Sequence, residues 1–199
     1  MGKGTVVGRV IQRVPGLSLS VSVTTRPPRP IERDGFDYIF VSDSEFDRMS
    51  AQGELLEWAD VFGHRYGTPG APIRQVLATG GDVLLEIDVQ GARQVKDRMP
   101  EAVLVLLEPP SLQELERRLR SRGTEDEERL AARLSEADRE LEQRDWFDHV
   151  IVNEEVEAAS AQVAAIIEAF PQVSGHMADD QASDQASDQA SDQEGPAHP

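Results

Sequence analysis

The chain predicts an α/β fold with a parallel sheet, and three observations carry that expectation. Apolar segments with the period of a helix alternate with short segments that suit strands. Two of the strand segments, residues 83–87 and 103–107, are nearly continuous apolar runs, the pattern of strands buried on both faces. Between about 26 and 70 the segments shorten and glycine turns appear, which suits a mixed, more antiparallel insert.

Taken in order, Val6, Val7, Val10, Ile11 and Val14 fall on one face of a helix stopped by Gly16. Leu17, Leu19, Val21 and Val23 alternate with serines, so residues 17–23 predict one half-buried strand. Residues 38–41 make a short strand. Ser42-Asp43-Ser44-Glu45 closes it as a capping box, opening a helix through Met49. Residues 55–61 and 65–67 predict a hairpin turning at Gly63-His64. A helix near 71–78 ends at Gly80-Gly81, and another near 92–99 separates the two buried strands. Ser111-Leu112-Gln113-Glu114 is a second capping box, opening a helix to about 121. A charged helix follows near 125–144, its acidic first turn suiting the positive end of the helix dipole. A strand at 149–152 and an amphipathic helix at 156–170 complete the ordered part. From Ala178 the chain repeats Ala-Ser-Asp-Gln with no large apolar residue. Residues 173–199 are therefore expected to be a disordered acidic tail, unable to offset the entropy of ordering.

At 199 residues the chain has the size of one domain. Its formal charge is −17, and the tail carries six of those negatives, leaving −11 on the remainder. Such a surface repels phosphate polymers and anionic lipid, so neither nucleic-acid nor membrane binding is expected. The absence of cysteine excludes a disulfide framework, a thiolate metal site and a cysteine nucleophile. Apolar runs reach only about five residues, far short of a membrane span. The expected class is a soluble, cytoplasmic globular protein. His64, His149, His176 and His198 lack metal-ligand spacing, and Trp58 and Trp146 suit packing.

Eighteen of the twenty basic residues are arginine, the side chain that grips phosphate with a planar fork. Arg26 and Arg29 follow the serine-rich strand and are held by Pro27, Pro28 and Pro30. Arginines with the hydroxyls of Ser22, Tyr38, Tyr66 and Thr68 suit a phosphate monoester. A carboxylate such as Glu57 accepts two hydrogen bonds and suits a base with adjacent N–H and NH2 donors, which among purines is guanine. Gly2-Lys3-Gly4-Thr5, ahead of an apolar-faced helix, looks like the last half of a phosphate-binding loop.

Over about residues 2–170 the chain resembles the guanylate kinase family. The resemblance rests on Ser20-Val21-Ser22, Thr24-Thr25-Arg26-Pro27-Pro28-Arg29, Asp37-Tyr38-Ile39-Phe40-Val41-Ser42, Leu56-Glu57-Trp58 and Tyr66-Gly67-Thr68. It continues through Leu85-Glu86-Ile87-Asp88-Val89-Gln90-Gly91, Arg122-Gly123-Thr124-Glu125 and Val150-Ile151-Val152-Asn153. It implies a P-loop kinase-type parallel sheet with flanking helices, a mixed GMP-binding insert and a helical lid, and phosphoryl transfer from ATP to GMP with Mg2+. The implied domain is 1–172, with a core of about 1–25, 71–113 and 146–172. The insert would be about 26–70 and the lid about 114–145. By the same resemblance Ser22, Arg26, Arg29, Tyr38 and Tyr66 surround the GMP phosphate, while Glu57 and Thr68 read guanine. Glu86 and Asp88 lie near the nucleotide, and Thr5 and Asp88 reach Mg2+ through water. Gly2, Lys3, Gly4 and Thr5 hold ATP phosphates, and Asn153 ends the adenine site. Lys3, Arg26, Arg118, Arg122 and Arg133 are the implied catalytic set.

The chain departs from the family pattern twice. Ile31 stands where a glycine is usual before the acidic residue, here Glu32. No strand and no first half of the phosphate loop precede Gly2. The expectation from this second departure is a true start upstream and little activity in the chain as numbered. The alternative is a guanylate-kinase-like module that binds without catalysis.

Overall fold

A computed structural model describes residues 2–121 and 127–170. Helix α1, Lys3–Arg13, opens the chain with Gly2 at its N-cap in the left-handed region, φ 76°, a conformation that costs glycine little. Its valines turn inward, with Val6 and Val10 fully buried at about 1.5–3 kcal/mol each in favour of folding.

The expected strand over 17–23 is two strands. β1, Ser18–Leu19, pairs in parallel with β6, Val83–Leu84, while β2, Val23–Thr24, joins a different sheet. The chain crosses between layers at Ser20–Ser22, so one alternation serves two cores. β2 therefore belongs to the insert's sheet, ahead of the boundary expected near 26. That sheet has the order β3-β2-β5-β4, with β3 at Ile39–Phe40, β4 at Leu55–Val61 and β5 at His64–Pro69. It is mixed, since β2 runs parallel to β3 and antiparallel to β5.

Helix α2, Asp43–Ala51, starts as predicted, with Ser42 Oγ accepting the Glu45 N–H at 3.2 Å. It packs Phe46 against Val23 and Leu55. The β4–β5 hairpin turns one residue earlier than expected. Phe62 and Gly63 carry the positive φ values of 51° and 78°, and His64 pairs with Val61 inside the ladder.

Helix α3 spans Gly70–Ala78, and α4, Val89–Arg98, begins three residues before the expected start because Asp88 caps it. β7, Val105–Glu108, pairs in parallel with β8, His149–Val152. The two predicted core strands are thus present, but 83–87 contributes only two ladder residues and 103–107 shifts toward Glu108. Helices α5, Leu112–Ser121, and α6, Glu127–Leu141, pack on each other through Leu115, Leu119, Leu130 and Ala137. A 3-10 turn at Arg144–Trp146 replaces the end of the expected long helix. Helix α7, Val156–Ala169, lies beside α1, and the two cover both parallel pairs through Leu84, Val105, Leu107 and Ile151. The predicted tail, 173–199, lies outside the described residues. No helix among the described residues is long and apolar enough to cross a membrane.

Candidate active site

Three clusters gather the residues singled out in the sequence, and the folding of the insert explains the first two. On β5, Tyr66 and Thr68 are two residues apart and share one face, about 7 Å along the strand. Tyr66 pairs with Thr24 on one side of β5, and Thr68 with Glu57 on the other.

At the Tyr66 end, Arg26 leaves β2 and its guanidinium becomes the hub. Nε donates to Tyr66 Oη at 3.2 Å, Nη1 to the Pro27 carbonyl at 2.7 Å, and Nη1 and Nη2 to the two Glu32 oxygens at 3.0 and 2.9 Å. The guanidinium also lies 5.4 Å from the centre of the Tyr38 ring, which meets Tyr66 edge-on. Glu32 further accepts the Arg29 N–H at 2.7 Å, and Arg29 Nη1 stands 3.7 Å away. The hydrogen bond to Arg26 holds the Glu32 carboxyl below its ordinary range, and the same bond raises Arg26. Burial raises the Tyr38 hydroxyl, with the Glu86 charge adding to it. Ser22 sits just before β2, its carbonyl accepting the Ile39 N–H at 2.9 Å.

At the Thr68 end, Glu57 is 4 % exposed and Thr68 is fully buried. The Thr68 hydroxyl donates to Glu57 Oε1. Burial pushes the Glu57 carboxyl up to about 7, opposed by the Thr68 hydrogen bond and reinforced by the Asp88 charge. Asp88 comes from the end of the β6 segment, where open α/β sheets bind ligands. Its Oδ1 caps α4 through the Gly91 N–H at 2.7 Å, and its Oδ2 accepts from Gln90 Nε2 at 3.3 Å.

The third cluster surrounds the start of α1. Lys3 Nζ donates to the Ile87 carbonyl at 2.8 Å. A side chain at Gly4 would lie 3.6 Å from Glu86 Oε2, and one at Gly2 3.5 Å from Asn153 Nδ2, so both neighbours border the helix N-terminus. Thr5 stands in the first turn, its N–H bonded to the Gly2 carbonyl at 3.0 Å. Burial raises the carboxyls of Glu86, Glu136 and Glu140, and Lys3 opposes the rise in each.

The α5–α6 pair reaches the same region. Arg118 donates to the carbonyls of Asn153 and Glu154 at 3.0 and 3.1 Å and pairs with Glu114 at 2.7 Å. Arg133 lies over the Phe62 ring at the hairpin tip, 5.5 Å from its centre. Arg122 falls outside the described residues. Sequence reasoning missed the Arg26–Glu32 pairing, which needs the folded 27–32 loop. It also missed Gln94 and Arg98, which bond the backbone of β4 from α4, because surface-type residues carry no periodic signal.

The family model described as guanylate kinase matches residues 1–170. The chain belongs to the guanylate kinase family. A guanylate kinase of Thermobifida fusca is 53 % identical over 169 residues, covering 85 % of this chain and 86 % of that one. One of Nocardia farcinica is 55 % identical over 168 residues, covering 83 % and 87 %. Among solved structures, a guanylate kinase from Anaplasma phagocytophilum superposes with a TM-score of 0.72 at 36 % identity, covering 84 % of this chain and 81 % of that one.

Proposed function

We propose that the chain transfers the γ-phosphoryl group of ATP to the phosphate of GMP, giving ADP and GDP, in the purine nucleotide metabolism of the cytoplasm. The observation that carries the proposal is β5. It presents a hydroxyl joined to an arginine hub at Tyr66 and, two residues on, a hydroxyl joined to a buried carboxylate at Thr68. The first end suits a phosphate and the second the N–H and NH2 edge of guanine.

Phosphoryl transfer of this kind needs no protein nucleophile, because a GMP phosphate oxygen attacks and the protein positions and neutralises charge. Arg26, Arg29, Tyr38 and Tyr66, with Ser22 beside them, hold the acceptor phosphate. Tyr66 accepts from Arg26 and keeps its own O–H to donate. Glu57 and Thr68 select the base, with Glu86 and Asp88 flanking it. The N–H groups of Gly2–Thr5 and the Lys3 ammonium hold ATP phosphates at the N-terminus of α1. Asn153 borders the adenine. Arg118, Arg122 and Arg133 belong to a lid of about 114–145 that closes over a core and an insert of about 26–70. To reach the moving phosphoryl group, Arg118 must release the Asn153 and Glu154 carbonyls.

Among the described residues no three carboxylate or imidazole groups converge to hold a metal. Thr5 and Asp88 would hold, through water, a Mg2+ brought by the ATP phosphates. When bound it neutralises phosphate oxygens. The partners are GMP and ATP, with neither nucleic acid nor membrane.

A coupled assay of ADP release tests the proposal. ADP should form only when GMP and ATP are both present, with AMP a poor substitute. GMP binding without any turnover would instead mark a binding module.

A further inference from the structure

Gly91 stands in the first turn of α4, where any ordinary side chain favours a helix more than glycine does. Glu57 fills the room that the missing side chain leaves. A Cβ at Gly91 would overlap Glu57 Oε2 and lie 3.0 Å from Glu57 Cδ, with Asp88 Oδ1 at 3.4 Å. The carboxylate has little freedom to yield, because it is buried and its other oxygen accepts the Thr68 hydroxyl.

The same face of α4 grips the strand that carries Glu57. Trp58 N–H donates to Gln94 Oε1 at 3.2 Å, and Gln94 Nε2 returns a bond to the Trp58 carbonyl at 2.6 Å. One turn on, Arg98 Nη1 donates to the Leu55 carbonyl at 2.8 Å and also to that of Leu56. Positions 91, 94 and 98 form one helical stripe, and the backbone groups they hold flank Glu57 on both sides. The helix is itself pinned by the Asp88 cap.

We propose that Gly91 is a specificity-determining positioning residue. Its lack of a side chain lets α4 seat β4 so closely that the Glu57 carboxylate has one place, between Gly91 and Thr68, and that place sets the choice of purine. Gln94 and Arg98 locate the strand, and Gly91 locates the carboxylate. The inference rests on the reading of Glu57 as the guanine acceptor.

A double-mutant cycle tests it, using calorimetric titration of the full chain with GMP and with AMP, and thermal unfolding of each variant. Gly91→Ala should weaken GMP binding about tenfold or more while AMP affinity stays within about twofold. In a Glu57→Ala background the same substitution should leave both nucleotide affinities unchanged and should not lower Tm, because no carboxylate remains to overlap. If Gly91→Ala alone does not fold, folding of the double variant supports the proposal by the same logic. GMP binding at the native level in Gly91→Ala, or an equal cost of the substitution in both backgrounds, overturns it. A Glu57→Ala variant that keeps full GMP preference overturns the guanine reading of Glu57 itself, and the proposal with it. Loss of preference in Glu57→Ala beside a neutral Gly91→Ala overturns the positioning role alone.

Discussion

The two nucleotide ends of the cleft differ in how far their charges are arranged before a ligand arrives. In the insert, Arg26 is bonded to Tyr66, Pro27 and Glu32, and Glu57 is bonded to Thr68, so each recognition group has a fixed partner and direction. At the start of α1 the Lys3 ammonium is turned onto the Ile87 carbonyl, and Glu86, Glu136 and Glu140 lie within its electrostatic reach. On the proposed reading, a triphosphate bound there must draw Lys3 away from the Ile87 carbonyl, beside carboxylates that repel it. So read, the GMP end holds its groups in hydrogen bonds to one another, while at the ATP end Lys3 must leave the Ile87 carbonyl before it can meet a phosphate. Preorganisation lowers the cost of binding, so the two ends should differ in affinity in this chain.

The largest break in that contrast should come from Arg26→Ala. It removes the hub of the proposed phosphate end and leaves Glu32 only its contacts with Arg29. Losing a charge-assisted bond costs about 1.5–3 kcal/mol, so GMP affinity should fall about a hundredfold by titration, and Tm should fall as well because Glu32 loses its main partner. Unchanged affinity would mean that the arginine hub serves the loop alone.

Glu57→Gln attacks the base end. It keeps the shape and removes one acceptor, so the preference for GMP over AMP should drop by about tenfold in competition binding. The same variant should be more stable than the parent at pH 8. Glu57 titrates near 7 in the folded protein rather than at its ordinary 4.5. The folded state therefore holds a proton that the unfolded chain has lost between those values. Stability falls as pH rises through that window and stays low above it, by about 3 kcal/mol at pH 8. Glutamine avoids that cost, and its advantage in Tm should vanish near pH 4.

A smaller effect sharpens the comparison further. If guanine is read by the Glu57 carboxylate, as proposed, GMP affinity should rise with pH up to about 7, by at most about tenfold per pH unit, and then level. The GMP phosphate titrates nearby, so the decisive quantity is the difference between the parent and Glu57→Gln profiles, and identical profiles would reject the coupling. Smallest of all, Ser42→Ala should cost about 1 kcal/mol of stability through the lost α2 cap, without changing GMP selectivity. A selectivity change there would show that α2 does more than support the insert.

How much of this was legible depends on the kind of signal. The α1 face, the Ser42 cap and the β4–β5 hairpin follow from local periodicity and capping chemistry; the first two stand where expected, and the hairpin turns one residue early. Residues 17–23 were misjudged because the alternation runs unbroken across a jump between two sheets, and pairing partners are not written in the strand itself. Asp88, the carboxylate expected near the nucleotide, caps α4, a local role that its sequence position does not announce. Arg26, Tyr38, Tyr66, Glu57 and Thr68 were readable as residue types suited to GMP. Their bonding was not, because Glu32 reaches Arg26 only after the proline-rich loop folds. Gly91 closes a motif of the family resemblance, but the volume it leaves empty becomes visible only beside the side chain that fills it.

The central claim is that the GMP end is built in advance and the ATP end is not. Separate calorimetric titrations of the 199-residue chain with GMP and with ATP in Mg2+ buffer test it most directly. GMP should bind at micromolar to millimolar strength, and ATP about tenfold or more weaker. ATP binding as tight as GMP, or tighter, would contradict the account.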